Sequence, residues 1–325
     1  IMPRMFGWSP DADGVDEIIF DETTPVWEMT AANGHEIGVC AFQSSNADPI
    51  CLFDALRPLE PTWRRGSQKI GDCVAWGFGL AADLVVAVSI WLKAAPWEWP
   101  GVFATEPIYG GSRVEARGKK TAGYSDGSYG GAAAKWLTKW GALNRIDYSL
   151  ATGNAEHDLT TYSGERAKSW GHWGNGGRRD KNKLDEVARR RPVVNAYRVT
   201  SFDQLAAAIQ NGYPVPICSG QGLGRRNADG FAPPRGKWSH CMTATGLRFD
   251  KPGALITNSW GNSWGTAAPL PGVEWDEVKK CSAWVDAKTV DKMLKQNDSF
   301  ALTGVDGLKR REINWREGWV INGRS

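Results

Sequence analysis

The stretch from Cys73 to Val88 is apolar on almost every side, and it constrains the fold more than any other part of this chain. A helix with apolar residues around its whole circumference has no face suited to water, so it has to lie in a core. The stretch is long enough for such a helix and contains no proline that would interrupt it. The sequence therefore predicts a buried central helix that begins at Cys73.

Two further helices are predicted from the signals at their ends. The first runs from about Tyr129 to Trp140 and is stopped by Gly141. The second follows Ser201, which is a good N-cap residue, and ends at Gly212. Between them, the region rich in glycine, serine and tryptophan up to about residue 180 is predicted to be irregular.

Short β-rich runs dominate the second half of the chain. They are separated by glycine or proline turns and cover residues 214–218, 241–245 and 254–258. Near the start of the chain, runs at 17–20 and 37–40 indicate short strands or extended loops. Helices first and antiparallel strands second predict an α+β fold with a seam between its two halves.

The composition argues against several classes of partner and cofactor. The chain has 325 residues, of which 42% are hydrophobic and 23% charged, and its net charge of +3 is too small to indicate nucleic-acid binding. No apolar run approaches the length of a membrane span, and no signal-type segment opens the chain, so no membrane partner is expected. The six cysteines are scattered without a C-x-x-C pair, so neither a metal nor another cofactor is expected.

Three residues stand where nucleophilic catalysis by cysteine needs them. Cys73 opens the predicted central helix, and a helix N-terminus stabilises a thiolate through its unpaired N–H groups and its dipole. His240 opens one predicted strand and Asn258 ends the next, so antiparallel pairing brings the two side chains together. The histidine would form an ion pair with the thiolate and protonate a leaving amine, while the asparagine would orient the ring.

Other interpretations of these residues exist. A cysteine on an apolar helix is most often an inert core residue. Asn262 is a weaker rival for the role of Asn258, because it falls within a turn and not at the end of a strand. Cell-wall amidases of the Cys–His type use equivalent chemistry.

Three segments together resemble the papain-like (C1-type) cysteine peptidases: QKIGDCVAW at 68–76, SHCMTATG at 239–246 and ITNSWGNSWG at 256–265. The resemblance implies a two-lobe α+β fold, with a helical left lobe that carries Cys73 and an antiparallel, barrel-like right lobe that carries His240 and Asn258. The active site would lie in the cleft between the lobes and hydrolyse peptide or protein substrates without a cofactor. It also implies a peptidase domain at 61–290, between extensions at 1–60 and 291–325.

The resemblance assigns roles to further residues. Gln68 takes the place of the family's oxyanion donor, although it stands five positions before Cys73 where the family places it six before. Trp260 corresponds to the indole that shields the bond between histidine and asparagine. Gly127 and Ser128 correspond to the segment that pairs with the substrate backbone, and the glycine pair at 130–131 is the alternative register.

Several departures from the family pattern motivate a second hypothesis. Trp238 places a bulky ring at a pocket-wall position, and residues 1–60 show no long amphipathic helix, which argues against self-inhibition by a helical prosegment. The family's extra cysteine before the nucleophile is missing, which favours a reducing compartment or a virion over secretion. The second hypothesis is a structural or interaction protein of papain-like fold, docked through its extensions into a bacterial or phage assembly, with weak or no peptidase activity.

Overall fold

The structure is a computed structural model that describes residues 7–9, 48–93, 95–178, 181–262, 264 and 269–311. The predicted runs at 17–20 and 37–40 lie outside the described residues, as do Cys40 and residues 312–325. The domain boundaries at residues 60 and 290 stay predictions.

Helices form most of the first half. In chain order they are α1 (Phe53–Leu56), α2 (Cys73–Trp91), α3 (Thr105–Arg113), α4 (Gly130–Lys139), α5 (Ser149–Thr152), α6 (Gly164–Trp173), α7 (Lys181–Ala188), α8 (Phe202–Gln210), α9 (Asp276–Cys281) and α10 (Ala287–Leu294), with a 3₁₀ turn at Ala155–His157. The three predicted helices are confirmed as α2, α4 and α8. Ser201 does cap α8, because its hydroxyl accepts the N–H of Gln204 at 3.3 Å.

The region predicted to be irregular contains helix α6, so that prediction was wrong. Ser163 caps α6 by accepting the N–H of Arg166 at 3.2 Å, and Glu165 supplies an acidic residue to the first turn. Gly164 and Gly171 lower the helix propensity of the segment, which hid this signal. Tertiary packing overrides the weak propensity, since Trp170 of α6 is fully buried.

Helix α2 is the centre of the fold. Its residues from Cys73 to Val88 are all buried, and the burial of each large apolar side chain stabilises the fold by about 1.5–3 kcal/mol. Among the described residues, α2 is also the one helix long and apolar enough to cross a membrane by length and composition. The expectation that no apolar run approaches the length of a membrane span was therefore wrong. Nearly all of this helix is nevertheless packed inside the protein.

The second half of the chain supplies an antiparallel sheet. The strands are β1 (Ile50–Cys51), β2 (Ala196–Arg198), β3 (Val215–Leu223), β4 (Pro234–Arg248), β5 (Gly253–Thr257), β6 (Ser282–Asp286) and β7 (Phe300–Leu302). The long strand β4 pairs with β3, β5 and β1, and β6 pairs with β5, while β2 and β7 form a separate ribbon. The α+β class is confirmed, but the main sheet stays open in the described part of the chain and does not close into a barrel.

The two halves meet where α2 crosses β4. Thr243 of β4 donates its hydroxyl to the carbonyl oxygen of Gly77 at 2.9 Å. A Cβ atom on Gly77 would lie 2.8 Å from the sulfur of Cys241, so a larger residue at position 77 would push the helix away from the strand. This close approach brings the first turn of α2 to the strand that contains His240.

Asp83 gives a test of how the buried helix responds to pH. Its carboxylate accepts the N–H of Phe103 at 2.7 Å, and burial raises its pKa to about 8. The unfolded chain releases this proton near pH 4, whereas the folded chain holds it to about pH 8, so stability falls as pH rises between these values. Asp83→Asn keeps an acceptor for Phe103 and is expected to flatten this fall, by at most about 1.4 kcal/mol per pH unit. Chemical denaturation at pH 5 and 7.5 measures the effect.

The matched control is Asp147→Asn, since exposed Asp147 also accepts a backbone N–H, from Ser149 at 2.7 Å. This control should leave the pH dependence unchanged. Equal pH dependence in Asp83→Asn and the unsubstituted protein would contradict the assignment.

Candidate active site

Cys73 is the first residue of α2, as predicted. Its sulfur accepts the backbone N–H of Cys241 at 3.3 Å, and the side chain is fully buried. Cys241 follows His240 in β4, so this contact places the candidate nucleophile against the strand that carries the candidate base.

His240 lies in the middle of β4 and does not open its strand as predicted, while Asn258 directly follows β5. The ring nitrogen Nε2 of His240 is 2.9 Å from Oδ1 of Asn258, and with Nε2 as donor the basic nitrogen of the neutral ring is Nδ1. The indole of Trp260 stacks on the His240 ring, with centroids 4.4 Å apart and an angle of 24° between the planes. Asn262 lies elsewhere, with its amide 3.5 Å from Glu277 in an exposed position.

Arg65 supports Asn258, and the sequence analysis missed it. The buried guanidinium donates to the carbonyl oxygen of Asn258 at 3.0 Å and to that of Trp76 in α2 at 3.2 Å. It therefore links the backbone of Asn258 to the helix that begins at Cys73. An arginine in a turn-like stretch gives no sequence signal for this role.

Gln68 lies beside the site despite its shortened spacing to Cys73. Its side-chain oxygen accepts the hydroxyl of Ser259 at 2.5 Å, and its amide nitrogen donates to the carbonyl oxygen of Ile70 at 2.9 Å. The N–H of Asp72 donates to the same Ile70 oxygen at 2.9 Å, forming a tight turn that takes up the missing residue. Ser259 fixes the orientation of the Gln68 amide, a contact that the sequence motifs did not indicate.

The described part of the N-terminal extension, Gly7–Ser9, lies in the cleft. The N–H groups of Gly7 and Trp8 both point to the carbonyl oxygen of Ser239 at 3.2 Å. On the other side, Ser9 donates to the oxygen of Ser128 at 2.9 Å, and Ser128 donates to the oxygen of Gly7 at 2.8 Å. Three residues of the chain thus fill the groove between β4 and the loop before α4.

Gly127 and Ser128 therefore line the groove, in the register that the sequence analysis placed first. A Cβ atom on Gly127 would lie 3.2 Å from the carbonyl oxygen of Gly7, so this loop touches the segment in the cleft. The alternative pair, Gly130 and Gly131, forms the first turn of α4 and donates its N–H groups to Asp298. Trp238 is buried and meets Trp260 edge to face at 4.8 Å.

Burial makes both members of the candidate catalytic pair neutral in this conformation. It raises the pKa of the Cys73 thiol well above its ordinary value, and the nearby side chain of Cys241 raises this pKa further. The backbone N–H groups of Cys241 and Gly7 lower it. Burial also lowers the pKa of His240 to about 4, although the hydrogen bond to Asn258 raises it. A closed cleft therefore disfavours the thiolate–imidazolium pair that the sequence analysis expected.

Asp72 is an acidic residue directly before the candidate nucleophile Cys73, and the sequence analysis did not consider it. It is fully buried, and burial raises its pKa to about 8, while the hydroxyl of Tyr162 donates to it at 2.8 Å and lowers the pKa. When Asp72 is ionised, its negative charge raises the pKa of the Cys73 thiol further.

No protein-family model matches this sequence, and no curated protein matches it. Solved structures do match. Xylellain, a cysteine protease from Xylella fastidiosa, is 16% identical with a TM-score of 0.55, over 94% of this chain and 99% of its own. ProCathepsin B S9 from Trypanosoma congolense is 9% identical with a TM-score of 0.49, over 93% of this chain and 87% of its own. At 16% identity, the likeness to xylellain shows a shared fold.

Gly7→Ala should open the cleft and change the reactivity of Cys73. A Cβ atom at position 7 would lie 1.9 Å from the carbonyl oxygen of Gly71, so the segment cannot keep its place without a shift of backbone. Hydration then favours the charged pair, and each unit by which the thiol pKa falls raises the thiolate fraction about tenfold. We expect alkylation of Cys73 by iodoacetamide at pH 7 to accelerate about tenfold or more, with its pH midpoint moved downward.

Peptide mapping by mass spectrometry separates Cys73 from the other cysteines. Gly123→Ala serves as the control, because a Cβ atom there has no neighbour closer than 3.8 Å. Equal alkylation rates in Gly7→Ala and the unsubstituted protein would show that the segment does not protect the sulfur.

Proposed function

We propose that this chain, which has the papain-like fold of cysteine proteases, is a cysteine endopeptidase that hydrolyses peptide bonds in peptide or protein substrates. One observation carries the proposal. His240 is hydrogen-bonded to Asn258 at 2.9 Å under the ring of Trp260, and the next residue of the same strand contacts the sulfur of Cys73 at 3.3 Å. This arrangement supports a nucleophile, a base and an orienting amide acting together.

The proposed reaction has two halves. The proton of Cys73 passes to Nδ1 of His240, and the sulfur attacks the substrate carbonyl carbon. The imidazolium then gives its proton to the leaving amine as the C–N bond breaks, which leaves a thioester on Cys73. Water attacks the thioester while His240 takes up its proton, and the acid product leaves as that proton returns to the sulfur. Asn258 holds the ring in the required orientation throughout.

Gln68 is the proposed oxyanion donor, together with the backbone N–H of Cys73 at the start of α2. The hydroxyl of Ser259 holds the Gln68 amide by its oxygen, which directs the NH₂ group away from Ser259. Donors of this kind contribute about 3–4 kcal/mol each to transition-state stabilisation in comparable sites.

The segment Gly7–Ser9 makes the described conformation a resting state. Its backbone pairs with Ser239 on one side of the groove and with Ser128 on the other. A substrate therefore cannot enter the groove while the segment is bound. The sequence argued only against self-inhibition by a helical prosegment, and an extended segment in the cleft is a different arrangement; residues 1–6 and 10–47 lie outside the described structure.

The same occupied cleft is the observation that favours the second hypothesis. A chain that never releases Gly7–Ser9 would be a structural or interaction protein with weak or no peptidase activity. Docking into a larger assembly through the terminal extensions, in a reducing compartment or a virion, remains part of that proposal.

The test of the proposed function is labelling with an irreversible epoxide inhibitor of cysteine peptidases, in the Gly7→Ala protein and under reducing conditions. We expect stoichiometric modification of Cys73 and hydrolysis of an unstructured protein such as casein. His240→Ala should reduce both by about a hundredfold or more, because general acid–base catalysis by a positioned side chain contributes about 10²–10⁴-fold.

Cys73→Ala is the second control and should abolish both signals while leaving the thermal unfolding transition in place. Labelling without casein hydrolysis would support the second hypothesis. Hydrolysis that survives in Cys73→Ala would exclude this site as its source.

A further inference from the structure

A pocket beside Ser128 holds the side chain of Trp8. The backbone of the segment hydrogen-bonds to Ser128 on both sides of Trp8, through Gly7 and Ser9, and the ring turns into the protein, where Trp8 is 7% exposed. At the end of the pocket, the indole nitrogen Nε1 donates to Oδ2 of Asp298 at 2.9 Å. The pocket thus holds a large side chain by one specific hydrogen bond.

Asp298 is a buried carboxylate that binds the N-terminus of helix α4 on one side. It is 1% exposed and caps α4, since the N–H groups of Gly130 and Gly131 donate to Oδ2 and Oδ1 at 2.7 Å each. A carboxylate has about four acceptor positions, and the cap uses two of them. Capping therefore does not account for the third hydrogen bond, which comes from the pocket through Trp8.

The wall of the pocket suits a flat bicyclic ring. The pairing of β3 with β4 has an irregular register between Ser219 and Gln221, and Gly220 in this bulge faces the indole. A Cβ atom on Gly220 would lie 3.9 Å from Cζ3 of Trp8, so this wall lies close to the six-membered ring. The side chain of Gln296 accepts the N–H of Gly220 at 2.7 Å and holds the bulge in place.

We infer that Asp298 is a specificity-determining residue, and that it makes this pocket prefer a substrate side chain that donates an N–H group, with tryptophan as the best fit. The inference rests on the proposed peptidase function, because it names a substrate preference of the same cleft. When Gly7–Ser9 leaves, Oδ2 of Asp298 loses its donor on the pocket side. A substrate residue without an N–H group would leave Oδ2 with the hydrogen bond from Gly130 alone and its second acceptor position buried without a donor.

Two matched peptides test the preference directly. They share one sequence and differ only in the residue that fills the pocket, which is tryptophan in one and benzothienylalanine in the other, whose sulfur replaces the indole N–H in a ring of similar shape. In the Gly7→Ala protein, we expect kcat/KM to be about 10–100-fold higher for the tryptophan peptide. Equal values would overturn the inference, and higher values for a lysine or arginine peptide would overturn the choice of tryptophan.

Variants of the protein assign the preference to one carboxylate. In the Gly7→Ala background, Asp298→Asn should reduce the ratio between the two peptides to about threefold or less. Asp126→Asn is the control: this exposed carboxylate beside the cleft accepts the N–H of Gly71 at 3.0 Å, and the ratio should stay unchanged. An undiminished ratio in Asp298→Asn would contradict the inference. If that variant does not fold, the peptide pair still decides the matter in the protein that retains Asp298.

A binding readout separates failure of this inference from failure of the proposed function. The same two peptides, used as ligands, should protect Cys73 of Gly7→Ala from iodoacetamide, the tryptophan peptide at a concentration about 10–100-fold lower. Protection in this order without hydrolysis would support the pocket assignment while the peptidase proposal fails. Hydrolysis with equal protection by both peptides would support the peptidase proposal and overturn the role of Asp298.

Discussion

The close contact between α2 and β4 is the constraint on which the rest of the site depends. Gly77 lets the helix approach the strand so closely that Thr243 hydrogen-bonds to its carbonyl oxygen and the sulfur of Cys241 fills the space of a side chain. The first turn of the helix then has to lie beside the residue that precedes Cys241 in the strand, which is His240. Because β5 pairs antiparallel with β4, with Thr257 opposite Thr243, Asn258 directly after β5 comes within hydrogen-bonding distance of His240.

This packing creates a conflict between stability and chemistry. The burial that makes α2 a good core helix also removes Cys73 and His240 from water, and both then prefer their neutral forms. The helix N-terminus does favour a thiolate, but within the closed cleft its effect is smaller than the cost of desolvation. Opening the cleft on the Gly7–Ser9 side changes this balance without moving any element of the core, since these three residues contribute only backbone pairs and one ring to it.

Features with a local pattern were predictable from the sequence. The all-apolar run predicted α2, and the end signals at Ser201 and Gly141 predicted α8 and α4. The β-rich runs around His240 and Asn258 predicted the strands that bring these two residues together. Helix α6 was missed because its glycines mask a cap that local rules otherwise recognise. The contacts of Trp8 had no such pattern: its partner Asp298 lies almost at the other end of the chain, and only the assembled fold brings them together.

Under the proposed peptidase function, the Trp8–Asp298 hydrogen bond links regulation to substrate choice. Trp8 is covalently attached to the protein whose pocket it fills, and ligands attached in this way compete at effective concentrations on the order of millimolar. A substrate has to displace this internal competitor, and a side chain that cannot hydrogen-bond to Asp298 competes at a further disadvantage. The Asp298 carboxylate, which would bind the preferred substrate side chain, therefore also holds the cleft closed when no substrate is bound. Any process that weakens the binding of Gly7–Ser9 in the cleft lowers the concentration at which every substrate competes with it. The order of preference among substrates is still set by the pocket.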